Sequence, residues 1–260
     1  MEYWRNFFLY DDHGFTFSQF SLQHLFAFLI FALIPILLIV FLKEKIQASK
    51  FERSLAIFLG SLGLIFEYVQ IYWIYNGGVR DWRHMVSTTL CGLALYVSSL
   101  AMITNNAFLS RISYFYIHGA FFSFLLPDQE FGFNRFRFYG FFVIHGLIAL
   151  NSIYLVLVKK HWANRRAMLD SMIFLSPFLL FSIIANNLLN ANATQGAFRM
   201  NFFYLDYPPF DFPIFSDLYR IRPFLYTLLT FIVYYLLVLI CYGLAKLFKI
   251  DRDKSISNII

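Results

Sequence analysis

The sequence predicts an all-α membrane protein, a polytopic bundle of about seven transmembrane helices with its N-terminus outside and its C-terminus cytoplasmic. Three observations predict this. First, 60% of the 260 residues are hydrophobic and only 14% are charged, against about 45–50% and about 25% in a soluble domain. Second, the apolar residues gather in seven runs, 21–42, 54–76, 85–104, 109–127, 137–158, 168–190 and 223–247. Each has about the 20 residues that a helix needs to cross about 30 Å of hydrocarbon. Third, the basic residues between the runs alternate in density. One side collects thirteen: Lys43, Lys45, Lys50, Arg53, Arg111, Lys159, Lys160, Arg165, Arg166, Lys246, Lys249, Arg252 and Lys254. The other collects eight, Arg5, Arg80, Arg83, Arg135, Arg137, Arg199, Arg220 and Arg222. The denser side is cytoplasmic by the positive-inside rule.

The elements follow in order. The first run is too long for the apolar part of a signal peptide. The second carries Glu67 and Gln70, and the third carries Cys91. The fourth is the weakest, because Ser113, Tyr114, Tyr116 and His118 interrupt it. The fifth carries His145 and the sixth Asn186 and Asn187. The longest connection, 191–222, holds Pro208, Pro209 and Pro213, with Phe202, Phe203, Tyr204, Tyr207, Phe210 and Phe212. It reads as a lid or an interfacial segment rather than a free linker. The seventh run carries Cys241. All runs are helices, because lipid leaves no partner for exposed backbone groups. The chain, 1–260, reads as one transmembrane domain.

Composition narrows the function. The net charge of +6 sits in short loops, where it suits topology and anionic lipid headgroups better than nucleic acid. Two cysteines cannot make a disulfide scaffold. No GxGxxG, P-loop, HExxH or CxxC occurs, so no cofactor or metal is expected. His84 and His161 lie in loops, and only a convergence of His24, Glu67, His118 and His145 would offer metal ligands. Asn192-Ala193-Thr194 matches the glycosylation pattern.

Polar groups inside spans are costly and therefore informative. At about 1.5 Å per residue, Cys91 lies about 9 Å below the outer surface, His145 about 12 Å, and Glu67 and His118 about 13 Å. His24, Asn186 and Asn187 lie within about one turn of that surface. With Gln70, these eight residues come from six runs and all fall in the outer half. The pattern predicts a polar cavity open to the outside. Cys241 lies near the inner end and reads as an apolar filler.

A cysteine and a histidine at similar depth are the minimal parts of an acyl-transfer site. The His accepts the thiol proton and the thiolate attacks an ester carbonyl. Glu67, Asn186 or Asp128 would orient the His, and Arg135 and Arg137 would hold a phosphate.

Two stretches carry a family likeness. One is "FSQFSLQHLFAFLIFAL", with His24. The other runs from Leu90 to Val158, with "LCGLALYVSSLAMIT" and "HGAFFSFLLPDQEFGFNRFRFYGFFVIHGLIALNSIYLVLV". These resemble the integral membrane family of bacterial YwaF-type proteins and the animal transmembrane protein 164. The features are Leu-Cys at the top of the third run, Pro-Asp after the fourth, Phe-Arg-Phe before the fifth and His-Gly within it. Where the family pattern has "LPLHLC", this chain has "VSTTLC", with Ser87 and Thr89. The resemblance implies an acyltransferase of glycerophospholipids, with Cys91 as nucleophile and His145 as base. His24 and Asp128 also match family positions.

The expectation is a membrane-embedded acyltransferase acting on phospholipid or other lipid acyl esters in the outer leaflet of a bacterial plasma membrane. Cys91 and His145 are its catalytic residues. His24, Glu67, His118, Asp128, Arg135, Arg137 and Asn186 support them or bind substrate, and membrane lipids are its partners. The alternative is a transporter, or a non-catalytic lipid-binding protein with an outward-facing polar cavity.

Overall fold

The structure, a computed structural model, describes residues 6–9, 16–77, 81–86, 89–191, 199–209 and 213–251. Arg5, Arg80, Ser87, the Asn192-Ala193-Thr194 pattern, Phe210, Phe212, Arg252 and Lys254 lie outside them. Seven helical segments answer to the seven apolar runs: α1 (Leu22–Gln47), α2 (Glu52–Asn76), α3 (Leu90–Thr104), α4 (107–125), α5 (Phe136–Leu157), α6 (Arg165–Asn190) and α8 (Pro223–Leu247). A short helix, α7 (Pro213–Ile221), precedes the last. Among the described residues the sole β pairing is an isolated bridge between Thr16 and Phe131.

Five of these helices, α1, α2, α5, α6 and α8, are long and apolar enough to cross a membrane. The other two differ from expectation for local reasons. α3 starts at Leu90 rather than near 85, because Thr89 caps it and Trp82–Met85 forms a separate 3-10 turn. α4 is broken into Ala107–Ser113, a 3-10 turn Tyr114–Tyr116 and Ile117–Leu125. The polar residues that weakened this run on paper mark the break.

α5 is the hub. In its most apolar stretch 83% of the residues are buried, against 17–33% in the other four long helices. A helix that is apolar all round belongs inside. Its Gly146 is the point of closest approach to α1, where an added Cβ would stand 1.9 Å from the Phe31 carbonyl oxygen. Pro35 has no N–H to reach Phe31 O four residues back, and α1 loosens into a π-turn over Leu29–Leu33. The proline and the glycine are thus one device. α2 and α3 also approach closely, with Gly60 against the Ser99 carbonyl and Gly63 against the Ser99 hydroxyl, as small residues allow in membranes.

The lower end of the bundle, where α1, α3, α5 and α8 finish, is tied by side chains that cap orphan carbonyls. Gln47 Nε2 donates to Leu157 O at 2.9 Å and Val158 O at 3.0 Å. Arg53 donates to Met102 O at 2.7 Å and to Ile103 O. Glu52 accepts from Tyr154 Oη at 2.6 Å and Lys159 Nζ at 2.7 Å.

Candidate functional site

At the upper end lies a cavity of about 540 Å³. It exists because α4 and α8 diverge. Below His118 they pack together, with Tyr114 and Phe115 against Val238, Cys241 and Ala245. Above the 3-10 turn, Ile117–Leu125 packs on α5, while α8 turns to α6 and α7. The space between is walled at the back by α2 (Glu67, Gln70), the first turn of α3 and α5 (Arg137, Phe141, Ile144, His145). The front is α4 (His118, Gly119, Phe122, Ser123) and α8 (Thr230, Val233, Tyr234, Leu237). Asp128, Tyr204, Pro208, Pro209 and Phe215 form the roof.

Cys91 is the second residue of α3. Thr89 caps the helix and accepts from Gly92 N at 3.4 Å. The N–H groups of Leu90 and Cys91 precede the helical ladder, as at any helix start, and the dipole there favours negative charge. Cys91 Sγ lies 3.5 Å from Ser123 Oγ. Ser123 gives its own proton to Gly119 O at 3.0 Å, so its lone pairs face the thiol and the S–H donates. Gly119 leaves the room for this: a Cβ there would stand 3.1 Å from Sγ.

His145 is buried on the cavity wall. Its Nδ1–H donates to Phe141 O at 2.7 Å, which fixes the tautomer and leaves the lone pair on Nε2. Its ring packs on Phe141 at 4.4 Å, with Arg137 over the same ring at 5.7 Å. His118, one residue before Gly119, turns Nδ1 toward Cys241 Sγ at 3.9 Å. Its Nε2 is buried without a hydrogen-bond partner. Cys241 therefore touches a cavity residue, which its position along the chain did not reveal.

Of the nine expected site residues, Cys91, His145, Glu67, His118, Asp128 and Arg137 line this cavity. His24, Arg135 and Asn186 do not. His24 spends both ring nitrogens on backbone: Nδ1 accepts from Phe20 N at 3.0 Å, and Nε2–H donates to Phe124 O at 2.7 Å. It clamps the start of α1 to the end of α4. Arg135 is buried in the turn before α5.

Asn186 belongs to a different construction. Residues 199–209 dip into the bundle between α6 and α8, burying Met200, Phe202, Phe203 and Leu205. Non-helical backbone at depth needs partners. Asn186 donates to Phe202 O (3.2 Å) and accepts from Phe202 N (2.8 Å). One turn on, Asn190 does the same for Met200 O and N, both at 2.8 Å. From α8, the hydroxyls of Tyr226, Thr227 and Tyr234 donate to the carbonyls of Tyr204, Leu205 and Phe203. Phe203 and Tyr204 both take φ near +53°, a costly state for aromatic residues. Burial pushes the Asp206 carboxyl above its usual range, against the pull of Arg199 and Asn190. Sequence reasoning missed Ser123 and the α8 hydroxyls. The four-residue spacing of Tyr226, Thr230 and Tyr234 was the available signal.

A family model described as the TMEM164 family matches residues 19–242, and the chain belongs to that family. It is an integral membrane protein with several apolar helices. No curated protein and no solved structure matches it.

Proposed function

We propose that this member of the family is a lipid acyltransferase of the outer leaflet that uses Cys91 as nucleophile and His145 as base. The observation that carries the reading is that Cys91, on the first turn of α3, and His145 line one cavity. The Cys91 thiol passes its proton to His145 Nε2, after rotating away from Ser123 or through a water. Sγ attacks the ester carbonyl of the acyl donor. The oxyanion forms beside the N–H groups at the start of α3, where fixed donors are worth most. The C–O bond breaks, and His145 returns the proton to the leaving alcohol. The acyl group rests on sulfur as a thioester. An acceptor hydroxyl then gives its proton to Nε2 and attacks the thioester, and the thiolate leaves and is reprotonated.

Arg137 suits a phosphate headgroup near the roof. The protein resides in a bacterial plasma membrane, spans it seven times with the N-terminus outside, and takes phospholipid as donor or acceptor. A conduction path has less support, since Tyr114, Phe115, Val238 and Cys241 fill the bundle below His118.

The test is intact mass of the protein in nanodiscs made with a phospholipid carrying a labelled acyl chain. Expected is a hydroxylamine-sensitive adduct that Cys91→Ser lacks. His145→Gln should slow acyl transfer by roughly 10²–10⁴-fold. Neither adduct nor transferred or released acyl chain, across diacyl, lyso and lipoprotein substrates, sinks the reading.

A further inference from the structure

We propose that the gap between α4 and α8 is a lateral portal, through which the hydrocarbon chain of a bilayer lipid enters the cavity and lies against Phe122, Val233 and Leu237. The proposal deepens the acyl-transfer reading by giving its substrate a route and an orientation. It stands on three observations.

The first is continuity. Phe122 lines the cavity and is 43% exposed, and its neighbour Phe121, which does not line the cavity, is 62% exposed. On α8, Leu236 and Ile240, which do not line the cavity, are exposed too. In a membrane those faces meet lipid, so the lipid surface and the cavity wall join at Phe122. The second is the cause of the gap. α4 and α8 pack together at and below His118 and Cys241, whereas above that level Ile117–Leu125 of the broken α4 packs mainly on α5. The opening is framed by helix packing, and lipid can enter it without unfolding anything.

The third is the division of chemistry. Phe122, Val233 and Leu237 give the front wall an apolar strip, beside His118, Ser123, Thr230 and Tyr234 on the same helices. The back wall holds Glu67, Gln70, Cys91 and His145. A molecule that fills both has a hydrocarbon part facing the bilayer and a polar junction facing inward. An ester-linked acyl chain has that form. Along α8 the cavity runs from Tyr226 to Leu237, about 16 Å at the helical rise, and its floor at Leu237 is one turn from Cys241. A chain arriving from the bilayer crosses no water. One arriving past the exposed Asp128 would cross it, at a hydrophobic cost for each methylene.

The experiment uses the whole protein in nanodiscs that contain phosphatidylcholine with a diazirine at the end of one acyl chain. After photolysis, adducts are mapped by residue. Expected are adducts on Val233 and Leu237 as well as on the outward-facing Leu236 and Ile240. Val233→Trp should lower the inner adducts several-fold and leave the outer ones unchanged; Leu237→Phe serves if the tryptophan variant does not elute as a single species. Adducts confined to Leu236, Ile240 and Phe121 would overturn the portal. Cys91→Ser should keep the inner adducts, which separates the two proposals. Inner adducts without any acyl transfer would sink the catalytic reading alone, and acyl transfer without inner adducts would sink the portal alone.

Discussion

Gly146 follows the proposed base and fixes how far α5 stands from α1, so its replacement by alanine is the sharpest test of the packing. The added Cβ would stand 1.9 Å from Phe31 O and 2.9 Å from Phe31 C, where nonbonded carbon atoms settle at about 3.5 Å or more. The obstacle is backbone and cannot rotate aside. Overpacking typically costs about 1–3 kcal/mol, and this contact belongs at the upper end. At about 2–4 °C per kcal/mol for a chain of this size, Gly146→Ala should lower Tm by roughly 6–12 °C. Gly243→Ala is the matched control, since nothing lies within 4 Å of its added Cβ. Alanine there relieves the cost of a mid-helix glycine, about 0.5–1 kcal/mol, so Tm should hold or rise. The assay is thermal unfolding in detergent, followed by fluorescence-detected size exclusion. A Gly146→Ala protein that melts within about 1 °C of the wild type, or moves as Gly243→Ala does, would refute the backbone contact.

Other predictions follow from the same hydrogen bonds. Asn186→Ala strands the N–H and carbonyl of Phe202 at depth, at about 1–3 kcal/mol for each buried group left unpaired. Limited proteolysis should then cut within 199–209, and an uncut segment would show that Asn186 does not hold it. His24→Phe breaks the clamp between α1 and α4 while leaving the cavity intact. It should lower Tm without changing the rate of acylation at Cys91, and a rate loss at unchanged Tm would return His24 to the site. The raised carboxyl of Asp206 favours the protonated form in the folded segment. Its contribution to stability is full below the unfolded carboxylate range and is lost as pH rises through the higher folded value. Protection of 199–209 from protease should therefore increase on acidification through that range, and Asp206→Asn should flatten the dependence. Thr89→Ala removes the cap at the start of α3, with an expected loss of about 1 kcal/mol, read as a Tm decrease.

The apolar runs were legible because length and hydropathy alone decide whether a segment prefers lipid and must be helical there. The bounds of α5 and α8 agree with the sequence to within one residue. Even the break in α4 was written locally, as the hydroxyls and histidine that interrupt its run. Position along each helix was legible too, since helical rise is constant, and Cys91, His145, Glu67 and His118, placed at neighbouring levels by it, line one cavity. Depth does not give azimuth. Whether a polar residue faces a cavity, a neighbouring backbone or another side chain depends on the rotation of its helix and on what crosses it. His24 and Asn186 sit at the depth of a site yet spend their hydrogen bonds on Phe20, Phe124 and Phe202. Ser123 reads as an ordinary small residue until α3 and α4 cross and bring it 3.5 Å from the thiol. The sequence determined which segments are long and apolar enough to enter lipid and where along each helix every polar group lies. The tertiary structure decided what each group touches, because that is fixed by helix rotation and crossing, which hydropathy does not encode.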